Sequence, residues 1–136
     1  MTPAERLSGR MPSADDIDGI ARATLARLPS PFRENLGEIV LLVEEVSDAE
    51  TARALGLNHP MQLSGLYQGV PLNRRSVSQS GTLPERITLY SRPILAEWQA
   101  TRFSLEEIVS HIVIHEVGHH FGFSDDDMHE LEREGE

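Results

Sequence analysis

From Ser104 to Gly122 the chain carries one long helical pattern into which four histidines and Glu116 are set, and this segment constrains the fold more than any other. Ser104 and Glu107 have the S-x-x-E spacing of a capping box, and Gly122 supplies the residue at which a helix can end. Between them, Ile108, Val109, Ile112, Val113, Ile114 and Val117 make residues 108–117 mostly apolar, which predicts a helix packed into the interior. Five of the six histidines follow residue 110, and four of them stand with Glu116 in HIVIHEVGHH, residues 111–120. Polar rings on a buried helix are costly unless something satisfies them. A metal ion does so, and hydrogen-bonded core histidines are the alternative. The spacing favours the metal. At about 100° per residue, His115 and His119 lie one turn apart and about 40° around the axis, so both imidazoles can reach one ion at about 2.0–2.1 Å. Glu116 falls within the same arc of about 100°, placed to touch a water at the ion without being a ligand.

The 136 residues are read as one domain, with residues 1–12 a loose tail and 13–136 the folded unit. The chain contains no cysteine, which excludes disulfides, thiol catalysis and sulfur-ligated metal. It also contains no lysine, which excludes Schiff-base chemistry and a Walker-type phosphate loop. The net charge of −10 argues against a nucleic-acid surface. No apolar run reaches the ~18 residues of a membrane span, and the N-terminus lacks the apolar stretch of a signal peptide. The expected location is therefore the cytoplasm, with no membrane or nucleic-acid partner.

Along the chain, Ser13 and Asp16 open a helix whose apolar stripe is Ile17, Ile20, Ala21, Thr24, Leu25 and Leu28, ended by Pro29 and Pro31. Residues 39–46, IVLLVEEV, read as a buried strand. A short helix is expected over 49–55 with Gly56 as its stop, then a glycine-broken strand over 63–70. Residues 72–84 are polar and rich in glycine and serine, the pattern of a mobile loop. Residues 86–91 alternate as a half-buried strand, and Pro93 opens a helix to about Ala100 with Leu95 and Trp98 inward. A last helix is expected from Ser124 or Asp125. The order makes an α+β domain.

Beyond His119, Gly122 lets the chain turn sharply and return an acid to the metal, and Asp125 has the right spacing, with Asp126 and Asp127 as alternatives. Two imidazoles and one carboxylate leave an open coordination position, the pattern of a catalytic zinc site. The string H-E-x-x-H-x-x-G-x-x-D over residues 115–125 resembles the metzincin motif with Asp in place of the third His, as in snapalysin-like enzymes. The chain is more closely similar to a small bacterial zincin-like metallopeptidase family of minimal zincin fold. The resemblance is carried by HEVGHHFGFSDDDM (115–128), SGLYQGVPL (64–72) and RITLYSRPIL (86–95), and covers roughly residues 15–130. It implies a small mixed sheet packed against two main helices, the second bearing the site. It also implies His115, His119 and Asp125 as zinc ligands, Glu116 as general base, and peptides or unfolded protein segments as substrates. The sequence departs from the metzincins after the motif, where 11 residues follow Asp125. Met128 is too close to serve as a usual Met-turn and reads as core of the last helix, with packing near the site as the alternative. Half of the cleft is then expected to come from the 72–84 loop or from a partner.

Of the other candidates, His111 reads as a buried, satisfied histidine or a group supporting the site, and His120 as a packing or hydrogen-bonding residue on the far side. His59 and His129 read as surface. Tyr67 and Tyr90 read as strand aromatics, with a hydrogen bond to the transition state as the alternative role, and Arg74 and Arg75 as a solvated loop face, with contact to a substrate carboxylate as the alternative. Three functional expectations follow, in order: a zinc peptidase, a non-enzymatic zincin-like module that binds metal or a partner, and a metal hydrolase acting on something other than a peptide bond.

Overall fold

The computed structural model describes residues 11–30, 32–36, 38–69 and 85–122. The tail through residue 10, the 72–84 loop with Arg74 and Arg75, and the last helix with Asp125, Asp126, Asp127, Met128 and His129 lie outside the described residues. In chain order the structure forms α1 (Ala14–Ala26), the one-turn α2 (Phe32–Asn35), β1 (Ile39–Glu44), α3 (Ala49–Ala54), a 3-10 turn (Pro60–Gln62), β2 (Gly65–Gln68), β3 (Glu85–Tyr90), α4 (Ser91–Ala100) and α5 (Leu105–His120). The architecture is the α+β arrangement expected of a minimal zincin-like fold, with five α-helices and a three-stranded mixed sheet among the described residues.

The strand order is β1-β3-β2, with β1 parallel and β2 antiparallel to the central β3. Because side chains alternate along a strand, Leu41 of β1, Ile87 and Leu89 of β3, and Gly65 and Tyr67 of β2 share one face. Helices α1 and α5 cover that face, α1 packing on β1 and α5, and α5 packing on β2, β3, α1 and α4. Ile17, Ala21, Leu41, Ile87, Leu89, Ile94, Leu105, Val109 and Val113 join in one apolar cluster. Across the α1–α5 contact, the Thr24 and Ser110 hydroxyls share a 2.8 Å hydrogen bond.

Both long-helix starts behave as their sequences predict. At Ser13 and at Ser104 the hydroxyl accepts from the backbone of Asp16 and Glu107, whose side chains reach back to the cap. Each cap stabilises its helix by about 1 kcal/mol. Helix α5 ends at His120 with Phe121 as its C-cap, followed by Gly122 at φ 84°, the left-handed turn that glycine adopts at no steric cost.

Two strand readings are corrected. The apolar run at 39–46 is a strand only to Glu44, and it lies at a sheet edge with Val40 and Leu42 exposed. Helices cover one face of that edge, so its alternate side chains meet solvent. Conversely, β3 is not half-buried. Thr88 and Tyr90 are buried along with Ile87 and Leu89, because β3 is the central strand. Helix α4 follows β3 directly from Ser91, so Pro93 sits inside its first turn, where its missing N–H costs nothing.

Burial raises the Tyr90 phenol above its ordinary pKa of 10.0, helped by the charges of Glu44 and Asp48 and opposed by Arg86. The neutral phenol is therefore the folded-state form. Its contribution is complete below pH 10 and is lost as pH rises through the elevated folded value. The melting temperature is expected to fall above about pH 10, and to fall less steeply in Tyr90→Phe, as followed by circular dichroism.

Candidate metal centre

Helix α5 lays one side on the sheet and turns the other outward. Its buried residues include Ile108, Val109, Val113, Glu116, Val117 and His120, while His115 and His119 are half-buried. His115 and His119 stand one turn apart, with ring centroids 4.6 Å from each other and planes at 64°. Glu116 is buried at 7% exposure, and its carboxylate lies 3.3 Å from Nδ1 of His119. One ligand atom from each of His115, Glu116 and His119 lies within 4.8 Å of the others, a grouping able to hold a metal ion. Nitrogen donors from two imidazoles beside one carboxylate suit zinc and neighbouring divalent metals, so the residues present fit the ion that the motif implies.

The depth of Glu116 has a local cause. Gly65 opens β2 directly beneath α5, where a Cβ would come within 2.5 Å of the Ile112 side chain and 3.5 Å of Cγ of Glu116. Its missing side chain lets the helix sit close to the strand, and this close approach holds Glu116 against the sheet. The other end of the helix is held differently. His120, at 1% exposure, brings Nδ1 within 3.5 Å of the Glu85 carboxylate, and the Tyr67 hydroxyl donates to the same carboxylate. Since Ile112 and Glu116 lie over Gly65 and Leu89 while His120 lies by Glu85, α5 runs antiparallel to β3.

The structure thus brings together three of the four expected site residues, His115, Glu116 and His119, while Asp125 lies outside the described residues. His111 is exposed rather than buried. It lines a cavity of about 370 Å³ with Glu97, Phe103, Glu107 and Ile108, because α5 turns this row of its surface outward. His59 is at the surface, as expected, and its Nδ1 accepts from the Met61 amide at the 3-10 turn. His120 is a buried packing residue, with edge-on contacts to Tyr67 and Phe121. Tyr67 is a strand residue whose hydroxyl is engaged by Glu85, and Tyr90 is buried. Glu85 escaped the sequence reading. Its only signal was a lone acid at the head of the β3 run.

The fold and this histidine–glutamate group define a zincin-type protein. A model of the family described as zincin-like metallopeptidase matches residues 36–135, well over half of the chain, and the chain belongs to that family. No curated protein matches the chain. Among the described residues, no helix is long and apolar enough to cross a membrane.

The Gly65 contact yields a prediction. Gly65→Ala overfills the β2–α5 contact and is expected to cost about 1–3 kcal/mol in urea denaturation, because Ile112 must move aside.

Proposed function

We infer that the chain is a zinc-dependent peptidase acting on peptides or unfolded protein segments. The observation that carries this reading is the convergence of His115, Glu116 and His119 within 4.8 Å on one turn of α5, in a member of a metallopeptidase family. His115 and His119 are assigned as two ligands and Asp125 as the third. Zinc, when bound, supplies a Lewis acid that polarises a carbonyl and makes water acidic enough to act as a nucleophile near neutral pH. Glu116 is the general base. Its carboxylate takes the proton of the attacking water and returns it to the departing amine, which keeps both transfers in one pre-placed group. Burial of Glu116 against Gly65 limits its rotamers and supports that assignment, since a base must lie within hydrogen-bond reach of its proton. The expected location is the cytoplasm.

The non-enzymatic alternative is separated by one pair of measurements. Glu116→Gln is expected to retain zinc, by elemental analysis, and to lose peptide cleavage by at least about 100-fold on a peptide library. Cleavage by the wild type should be abolished by a chelator and restored by zinc. Equal hydrolysis by wild type and Glu116→Gln contradicts the assignment of the base. Zinc retention without any metal-dependent cleavage favours the binding module.

A further inference from the structure

The sheet-facing end of α5 carries a polar cluster that the peptidase reading does not use. Three elements meet there. Tyr67 comes from β2, Glu85 is the first residue of β3, and His120 is the last residue of α5. Glu85 is 8% exposed and His120 is 1% exposed, so a carboxylate and an imidazole are held almost wholly out of water. Both the Tyr67 hydroxyl and Nδ1 of His120 address the same carboxylate oxygen. The His120 ring also stands edge-on to Tyr67 at 5.8 Å and to Phe121 at 5.0 Å. Room for the carboxylate depends on Gly69, at φ 148°, where any Cβ would collide with the Glu85 carboxylate and come within 2.9 Å of the Tyr67 hydroxyl.

Burying a carboxylate here carries a cost that an apolar residue would not. Ile87 and Leu89, on the same strand face as Glu85, are fully buried and apolar. An apolar residue at position 85 would avoid the desolvation of a carboxylate, and buried charged or polar groups are often replaced by such residues at no loss of stability. What a carboxylate adds is direction. Apolar packing tolerates a helix rolling by several degrees, whereas a carboxylate that accepts a hydrogen bond from a phenol and has an imidazole nitrogen 3.5 Å from the same oxygen favours one orientation. The held residue, His120, directly follows His119, and each residue of α5 is set about 100° from the next. Fixing His120 against the sheet therefore fixes the roll of the turn that presents His119, and with it His115 one turn earlier.

We propose that Glu85 is a positioning residue for the His-Glu-x-x-His site: through His120 and Tyr67 it sets the roll of the last turn of α5 and thereby aims His115 and His119 at a common point. The zinc readout rests on the peptidase reading, and a second readout on metal-free protein does not.

The test uses Glu85→Leu, which fills the space without direction, His120→Phe, which keeps the ring without its nitrogens, and Glu85→Gln, which keeps the hydrogen-bonding shape. Zinc affinity is measured by competition with a chromophoric chelator. Amide hydrogen exchange is measured on the metal-free proteins. In Glu85→Leu and His120→Phe, zinc affinity should fall at least about tenfold, the lower end of what supporting residues of metal sites contribute. The amides of His119 and His120 should lose protection selectively, with those of Val109 and Val113 unchanged. Glu85→Gln should restore both to within about threefold of wild type. Wild-type affinity and protection in a folded Glu85→Leu or His120→Phe would overturn the proposal. So would uniform loss of protection along α5, or failure of both variants to fold, since either marks a purely structural role. A wild type that binds no zinc would sink the peptidase reading, while the exchange pattern would still decide the role of Glu85.

Discussion

Everything at the candidate site depends on how closely α5 lies on the sheet. The helix is anchored in its first half by apolar contacts of Leu105, Val109 and Val113, each fully buried. At its middle the bare Cα of Gly65 lets the backbone of β2 come near Ile112 and Glu116. At its end His120 meets Glu85 and Tyr67. The inward side of one helix is thus fixed at three levels, and its outward side carries His115 and His119 half-buried, within reach of an ion and of solvent. Two half-buried imidazoles beside a buried carboxylate leave the group accessible from outside the core.

The division of labour around α5 follows from burial. Glu116 is the deepest member of the trio, and His115 and His119 are the more open ones. A carboxylate pinned from behind has few rotamers to lose, while imidazoles at the rim can meet a ligand that arrives from outside. Acidic composition does not explain the site, since the charge of −10 belongs to the whole sequence. The specific placement of one buried carboxylate next to two imidazoles does.

Much of this was legible in the sequence, for local reasons. Capping at Ser13 and Ser104 and the stop at Gly122 depend on neighbours a few residues away, so the ends of α1 and α5 were readable directly. The spacing of His115, Glu116 and His119 is likewise a property of one helix, and the structure places the three together. What could not be read were the properties set by distant partners. The exposure of Val40 and Leu42 depends on β1 being an edge strand, and the burial of Thr88 and Tyr90 on β3 being central. An apolar run carries no record of its place in the sheet. The outward turn of His111 and the junction of Tyr67, Glu85 and His120 needed the packing of α5 on β2 and β3 to be known.

The central claim is that α5 presents a metal site through His115 and His119. Crystals of zinc-equilibrated protein, freed of loosely held metal and measured at the zinc absorption edge, test it most directly. The account predicts one anomalous peak about 2.0–2.1 Å from a nitrogen of each of His115 and His119, and no such peak in His115→Ala. An absent peak in the wild type, or one bound away from these two rings, would contradict it.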